Sequence, residues 1–202
     1  MTDDENRSAF DWETRFIDDD TPWERDGLHP AFTAWRDQSS FATGERALIP
    51  GCGRSPELLA LAQAGLAVTG ADLSATAISW QRKVFAEAKQ YGDLVTGDVL
   101  AWSPQQPLDL VYEQTFLCAI HPRLRTRYEQ ALSRWLGSGG RLYALFMQKA
   151  EPGGPPFGCS LDAMRILFPE ARWIWPDEGD IPAWPHPHLN DKAELAAVLT
   201  RR

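Results

Sequence analysis

Residues 46–57, RALIPGCGRSPE, and residues 68–74, VTGADLS, are the parts of the sequence that decide the fold of this chain. Each begins with a short apolar run. The first run ends in a glycine turn at Gly51 and Gly53, and the second ends in Asp72. A glycine turn between a strand and a helix lets the backbone approach a ligand, and an acid at the end of the next strand can accept both hydroxyls of a ribose. Asp72 follows Gly53 at about the 20-residue spacing expected of that acid, so the two segments predict half of a nucleotide-binding βαβ unit.

The glycine pattern also indicates which nucleotide is bound. Ser55 and Pro56 occupy the positions near which the third glycine of the dinucleotide fingerprint would fall. Without that glycine the pattern disfavours NAD or FAD and favours a nucleoside ligand that lacks a pyrophosphate. An NAD-dependent oxidoreductase remains an alternative interpretation of the same residues.

Composition excludes several classes of function. The chain has 202 residues and a net charge of −8, with no run of Lys or Arg, which argues against a nucleic-acid partner. No apolar run reaches the roughly 20 residues that cross a bilayer, and the acidic N-terminus is unlike a signal peptide. Cys52, Cys118 and Cys159 are scattered and lack metal-ligand spacing. We therefore expect a cytoplasmic monomer or weak dimer with reduced cysteines and no bound metal.

The order of the predicted elements gives the fold class. Polar residues 1–9 predict a disordered N-terminus, and the rest of the chain predicts a single domain, with a helical, aromatic cap over residues 10–42 and an α/β core over residues 43–202. Apolar runs and turn signals predict seven strands and four main helices. The strands are expected at residues 46–49, 66–71, 93–96, 108–112, 141–147, 172–175 and 193–200, and the helices at 56–64, 74–89, 122–136 and 161–168. Alternating strands and helices predict a doubly wound, mostly parallel sheet whose last two strands form an antiparallel edge pair.

Residues able to bind a ligand follow four of these strands. They are Gly51 with Gly53, then Asp72, then Asp98, then Glu113 with Gln114. In an open α/β sheet the ligand lies at the carboxyl ends of the strands. Three acids at successive strand ends can bind a ribose, an adenine amine and a positively charged centre, and the alternative is that they are solvated caps.

Four further segments complete a family pattern. They are Trp12-Glu13 with Phe16 and Thr21-Pro22-Trp23, Pro50-Gly-Cys-Gly53, Phe116-Leu-Cys-Ala-Ile120 followed by Pro122, and Gly153-Gly-Pro-Pro-Phe157. With Asp72, Asp98 and the predicted sheet, the chain resembles a class I S-adenosylmethionine-dependent methyltransferase. More narrowly, it resembles the thiopurine S-methyltransferase superfamily and its thiocyanate, halide and thiol methyltransferase branch.

The resemblance implies a cofactor and a role for each matching residue. The cofactor is S-adenosylmethionine and the product is S-adenosylhomocysteine. The implied cofactor-binding residues are the aromatics Trp12, Phe16 and Trp23, then Gly51 and Gly53 at the methionine part, Asp72 at the ribose, Leu73, Asp98 and Val99 at the adenine, and Gln114 at the methionine and the transferring methyl. The implied acceptor pocket is lined by Trp23, Phe116 and Phe157. Glu113 is the candidate base for a neutral thiol, unless it only orients the cofactor.

Two positions depart from the family pattern. Gln114 stands where the halide and thiocyanate branch has a tyrosine and the thiopurine branch an arginine, and Phe16 replaces a tryptophan. The sequence therefore predicts methyl transfer to a small soft nucleophile, namely a thiol or thiolate, thiocyanate or a thiopurine. The alternatives are a halide, a selenium or tellurium oxyanion, an oxygen or nitrogen acceptor, or a cofactor-binding protein without turnover.

For the remaining candidate arginines and histidines we favour a structural role over a functional one. Arg123 and Arg125 follow the fourth strand and could attract an anion, but solvated charges on an amphipathic helix are the preferred interpretation. His186 and His188 have the spacing of a metal clip, and no third ligand is evident in the sequence.

Overall fold

The computed structural model describes residues 10–190 and 192–202, so the predicted disorder of residues 1–9 lies outside the described residues. Within them, eight strands form one mixed sheet in the order β3-β2-β1-β4-β5-β8-β6, with β7 paired to β8 off this path. The strands are β1 (Arg46–Pro50), β2 (Ala67–Asp72), β3 (Asp93–Thr96), β4 (Leu108–Glu113), β5 (Leu136–Met147), β6 (Trp173–Ile174), β7 (Ala183–Pro185) and β8 (Ala193–Arg201).

The helices cover both faces of this sheet. They are α1 (Trp12–Ile17), α2 (Pro30–Asp37), α3 (Pro56–Gln63), α4 (Ala75–Glu87), α5 (Phe116–Ala119), α6 (Arg125–Trp135) and α7 (Leu161–Leu167). None of the described helices is long and apolar enough to cross a bilayer.

The central strands are buried on both sides because helices pack on each face. Alternate residues of one strand enter two different apolar clusters. In β1, Leu48 belongs to the cluster with Tyr128 and Trp135 of α6. Its neighbour Ile49 belongs to the cluster with Leu58 of α3. This two-residue alternation is what a strand between two helical layers requires.

The strand order places the functional edge of the molecule. β1 pairs in parallel with β2 on one side and with β4 on the other, so the order reverses between β1 and β4. Ligands in open α/β sheets bind beyond the carboxyl ends of the strands at such a reversal. Gly51 follows β1, Asp72 ends β2 and Gln114 follows β4, so all three residues lie at this edge.

The predicted fold class is confirmed, and so is the antiparallel pairing of the last two predicted strands, now β6 and β8. The sequence missed β7, because prolines on both sides of it signal a loop, although an edge strand tolerates them. The sequence analysis also predicted a single helix over residues 122–136, ended by the glycines that follow Leu136. In the structure α6 begins after a 3₁₀ turn at Pro122–Leu124 and ends at Trp135, and β5 begins directly at Leu136.

Candidate active site

Two cavities open at the carboxyl edge of the sheet. The larger cavity has a volume of about 560 Å³ and is bordered mainly by apolar and aromatic side chains. The smaller cavity has a volume of about 500 Å³ and is bordered by charged and amide side chains, among them Arg54. Four residues border both cavities and therefore define a junction between them: Trp23, Gly51, Gly53 and Thr115.

The glycine turn after β1 is shaped by aromatic packing. Gly51 and Gly53 have φ values of +56° and +46°, in the left-handed region that favours glycine. A Cβ on Gly51 would lie 2.5 Å from Cδ2 of Phe116 in α5, and one on Gly53 would lie 3.1 Å from Cζ of Phe16 in α1. The glycines thus give the turn its conformation and leave room for the two rings that close over it.

Asp72 ends β2 at the wall of the larger cavity. Its carboxylate oxygens accept hydrogen bonds from the backbone N–H groups of Gly53 and Ser74, each at 2.8 Å. Burial raises the pKa of Asp72, although the two hydrogen bonds favour the charged form. Because a carboxylate can accept about four hydrogen bonds, Asp72 has lone pairs left for a ligand.

The residues around Asp72 form one end of the larger cavity, which we call the β2 end. Leu73 borders it and is 49% exposed, so its apolar side chain is open to the cavity. Asp98 accepts a hydrogen bond from the N–H of Leu100 at 2.9 Å and so begins the 3₁₀ turn Val99–Ala101. Asp98 and Val99 also border this end of the cavity.

The N-terminal aromatics pack together at the larger cavity, and Trp23 also borders the smaller one. Trp23 contacts Trp12 edge to face at 5.4 Å between ring centroids, and Phe16 in the same manner at 5.8 Å. All three rings border the larger cavity. They therefore form part of its roof.

Two polar anchors that the sequence analysis missed hold this roof down. Glu13 of α1 accepts hydrogen bonds from the Ser74 hydroxyl at 2.5 Å and the Thr76 hydroxyl at 2.7 Å, at the start of α4. These bonds lower the pKa of Glu13. The only sequence signal for this contact is the acid beside Trp12, whose partner 61 residues later has no local signature.

The second anchor is Arg54, in the glycine turn. Its guanidinium forms ion pairs with Asp19 at 2.7 Å and Glu24 at 2.8 Å, and it donates a hydrogen bond to the Thr21 hydroxyl at 2.9 Å. The segment on both sides of Trp23 is thereby tied to the turn that follows β1.

Glu113 and Gln114 point to different places. Glu113 is 1% exposed and borders neither cavity, and its carboxylate accepts a hydrogen bond from the N–H of Leu117 at 3.0 Å. Burial raises the pKa of Glu113 to about 7. Gln114 borders the smaller cavity, and its Oε1 accepts a hydrogen bond from the Tyr112 hydroxyl at 2.8 Å.

The opposite end of the larger cavity, which we call the α5 end, lies between α5 and the loop of residues 153–157. Phe116 and Phe157, the residues that the family resemblance implies for the acceptor pocket, both border this end. Phe157 donates its N–H to the carbonyl of Cys118 at 2.7 Å, which fixes the loop to α5.

Arg125 reinforces the same connection. It is 8% exposed, and its guanidinium donates to the carbonyls of Leu117 at 3.2 Å, Gly158 at 2.9 Å and Phe157 at 3.3 Å. The prediction of a solvated charge is therefore wrong for Arg125, because loop carbonyls more than 30 residues away replace its water. Arg123 is exposed and borders the larger cavity.

The histidines have local partners. His121 borders the α5 end, packs edge to face on Phe157 at 5.6 Å, and its Nδ1 accepts the N–H of Arg123 at 3.2 Å. The Nδ1 of His186 accepts a hydrogen bond from the N–H of His188 at 3.3 Å, and its Nε2 lies 3.1 Å from the carbonyl oxygen of Trp23. Among the described residues, no group of three or more His, Cys, Asp or Glu could hold a metal ion.

The three cysteines are free and buried. Burial raises the pKa of Cys52 and Cys118 well above the usual value of a thiol, and that of Cys159 to about 12. Because the thiolate is the reactive form, these side chains do not supply a nucleophile to the site.

Comparison with known proteins identifies this architecture. The family model of thiopurine S-methyltransferase matches residues 7–174. The chain is 32% identical to a probable thiol methyltransferase 2 of Arabidopsis thaliana, over 80% of this chain and 73% of the relative. It is 31% identical to thiocyanate methyltransferase 1 of the same plant, over 78% of this chain and 71% of the relative.

Solved structures share the fold. One is the 1,6-didemethyltoxoflavin-N1-methyltransferase of Burkholderia thailandensis, solved with bound S-adenosylhomocysteine. It superimposes with a TM-score of 0.73 at 15% identity, over 93% of this chain and 84% of that one. Fold, site and relatives together define an S-adenosylmethionine-dependent methyltransferase. Within that class, the chain belongs to the thiopurine S-methyltransferase family.

Proposed function

We propose that this methyltransferase transfers its methyl group to a small soft sulfur nucleophile: a thiol or thiolate, thiocyanate or a thiopurine. One observation carries the proposal. The α5 end of the larger cavity is bordered by Phe116, Phe157 and other apolar groups, and by His121, whose Nδ1 already accepts a hydrogen bond; among the described residues, no carboxylate borders this end. Glu113, the candidate base, borders neither cavity.

The lack of a base limits the acceptor. When bound, S-adenosylmethionine supplies a methyl group on a positively charged sulfur. An acceptor that meets no base in the pocket must arrive without a proton on its nucleophilic atom, as an anion or a soft, readily ionised group. Thiolates, bisulfide, thiocyanate and thiopurines meet this requirement, whereas a neutral alcohol does not. The thiol and thiocyanate activities named for the plant relatives support the same class of acceptor.

The β2 end of the larger cavity fits the adenosine part of the cofactor. Asp72 has lone pairs free for two ribose hydroxyls, and the exposed apolar side chain of Leu73 suits the face of an adenine ring. Asp98 and Val99 border the same end and can hold the adenine edge. We infer that these four residues bind the nucleoside.

The junction between the cavities fits the methionine part. The backbone of Gly51 and Gly53 borders both cavities there, and Gln114 borders the smaller cavity beside it. The ring of Trp23 borders the junction, and those of Trp12 and Phe16 pack against it in the wall of the larger cavity. An aromatic face near a sulfonium contributes about 0.5–2 kcal/mol when water is excluded, so this roof both binds the cofactor and keeps the site dry.

The acceptor then occupies the α5 end, against Trp23, Phe116 and Phe157. Catalysis by these residues is mainly alignment, because an oriented reactant pair can gain about 7–11 kcal/mol from its geometry. A halide, or a selenium or tellurium oxyanion, would also need no base and is the main competing acceptor. An oxygen or nitrogen acceptor that must lose a proton to react is disfavoured, since among the described residues no base borders this end of the cavity.

The test is formation of S-adenosylhomocysteine with bisulfide, thiocyanate, benzenethiol, a thiopurine, iodide and catechol, each offered separately. We expect turnover with at least one sulfur compound and none with catechol. Turnover of iodide alone would replace sulfur by halide as the acceptor class, and turnover of catechol alone would refute the proposal. Phe157→Ala should raise the KM of the accepted compound while leaving the Kd of S-adenosylhomocysteine unchanged.

A further inference from the structure

A buried hydroxyl lies directly behind Gln114. Tyr112 is completely buried in β4, where its ring packs edge to face on Phe32 at 5.4 Å and on Trp35 at 6.2 Å between centroids. Its hydroxyl is 2.8 Å from Oε1 of Gln114. The backbone carbonyl of Gln114 is also engaged, since it accepts the Thr115 hydroxyl at 2.6 Å.

The direction of the Tyr112 bond follows from what each group can donate. A buried phenol needs an acceptor for its proton, and Gln114 is its only hydrogen-bond partner among the described residues. If the amide NH₂ pointed at Tyr112 instead, the phenol proton would be buried without an acceptor. The Tyr112 hydroxyl therefore donates to the amide oxygen of Gln114. The NH₂ group of Gln114 then points away from Tyr112, toward the smaller cavity. Burial also raises the pKa of Tyr112 well above its usual value, so it stays a donor at any working pH.

Both neighbouring cations form ion pairs, although the buried Nε of Arg25 has no hydrogen-bond partner among the described residues. Arg25 and Arg54 also border the smaller cavity. Arg25 forms a 2.5 Å ion pair with Glu194, and Arg54 is paired with Asp19 and Glu24. The Gln114 amide thus offers uncommitted N–H donors next to the junction of the cavities.

We propose that Tyr112 is a positioning residue that holds Gln114 as a hydrogen-bond donor toward an anionic group at this junction. That group is either the carboxylate of the cofactor or an anionic acceptor, and both present lone pairs to an N–H. The inference rests on the proposed place of Gln114 beside the methyl donor. It also explains how glutamine serves at this position: its amide provides donors of fixed direction without adding a charge.

The experiment is a double-mutant cycle with Tyr112→Phe, Gln114→Leu and the combined variant. Calorimetry gives the Kd of S-adenosylhomocysteine, and tryptophan fluorescence gives the Kd of thiocyanate for the S-adenosylhomocysteine complex. Tyr112→Phe should weaken one of the two ligands by about threefold to tenfold, because the amide is free to turn away. The same change should have no effect in the Gln114→Leu background, since Tyr112 acts through Gln114. Weaker S-adenosylhomocysteine identifies the cofactor carboxylate, and weaker thiocyanate identifies the acceptor.

Two further variants separate this role from simple stabilisation. Gln114→Glu keeps an oxygen for Tyr112 but turns a second, negatively charged oxygen to the cavity, and it should weaken the same ligand more than Gln114→Leu does. Tyr143→Phe is the matched control, because Tyr143 donates to the Ser40 carbonyl at 3.0 Å and borders neither cavity. It should leave both Kd values unchanged.

Two results would overturn the inference: unchanged affinity for both ligands in Tyr112→Phe, or an equal loss in the parent and Gln114→Leu backgrounds. Failure of the proposed function is a separate result. It would be seen in the unaltered protein as turnover with no sulfur acceptor, whatever the cycle shows.

Discussion

Replacing Asp72 by alanine should abolish most of the cofactor affinity without unfolding the chain. In the parent, the carboxylate holds the backbone N–H groups of Gly53 and Ser74 and has lone pairs left for two ribose hydroxyls. A hydrogen bond to a charged group contributes about 1.5 kcal/mol at the low end of its range, so two such bonds amount to about 3 kcal/mol. Since about 1.4 kcal/mol is a tenfold change, we expect the Kd of S-adenosylhomocysteine to rise by about 150-fold.

Calorimetry with S-adenosylhomocysteine measures this change directly, and a 2′,3′-dideoxy analogue shows its origin. The analogue lacks both hydroxyls, so it should bind the parent and Asp72→Ala about equally well. Asp72→Asn is a second variant that keeps the side-chain shape but replaces one acceptor oxygen by a donor, and it should lose affinity in the same direction. Asp109→Ala is the matched control, because Asp109 accepts the N–H of Arg46 at 2.8 Å and borders neither cavity.

The reasoning fails if Asp72→Ala is folded and still binds S-adenosylhomocysteine within about threefold of the parent. In that case Asp72 would serve only to hold the glycine turn and the start of α4. A loss that is as large for the dideoxy analogue as for S-adenosylhomocysteine would point to the same structural role.

Three other changes test the packing and the electrostatics of the site. Gly51→Ala should destabilise the chain by about 2–4 kcal/mol in urea unfolding, because residue 51 has a positive φ and the new Cβ would collide with α5. Gly44→Ala is the control: Gly44 has φ +88° but open space around it, so the change should cost only about 1–2 kcal/mol. Equal losses in the two variants would exclude the steric contribution. Burial raises the pKa of Glu113 from 4.5 to about 7, so the folded chain binds an extra proton between these pH values and loses stability as the pH rises through that window. Glu113→Gln should therefore gain about 2–3 kcal/mol relative to the parent between pH 5 and pH 8, and parallel pH profiles of unfolding would contradict this. The guanidinium of Arg125 holds the loop of residues 153–157 through backbone carbonyls at the end of that loop, so Arg125→Met should release the loop. The KM of the acceptor should then rise by about tenfold, while the Kd of S-adenosylhomocysteine stays unchanged. An equal loss of both affinities would indicate general unfolding instead.

Local patterns in the sequence were sufficient for the fold class, the family and the cofactor. The apolar run of β1, the turn at Gly51 and Gly53, and the acid that ends β2 lie within about 30 residues. The alternation of apolar residues in strands and the preference of turns for particular residues act over the same short range. These features can therefore be recognised in the sequence without a structure. The aromatic segments around Trp23 and Phe157 carried the narrower family resemblance in the same way.

Only the tertiary structure decided which of the marked residues border a cavity. Glu113 and Gln114 are neighbours at the end of β4, yet Glu113 turns beneath α5 and Gln114 faces the smaller cavity. Arg125 is buried only because the carbonyls of a loop more than 30 residues away pack against its guanidinium. The sequence determines what each side chain can donate or accept, because that is a property of the residue. Which water, backbone group or ligand it meets depends on segments distant in the chain, and packing alone brings those segments together.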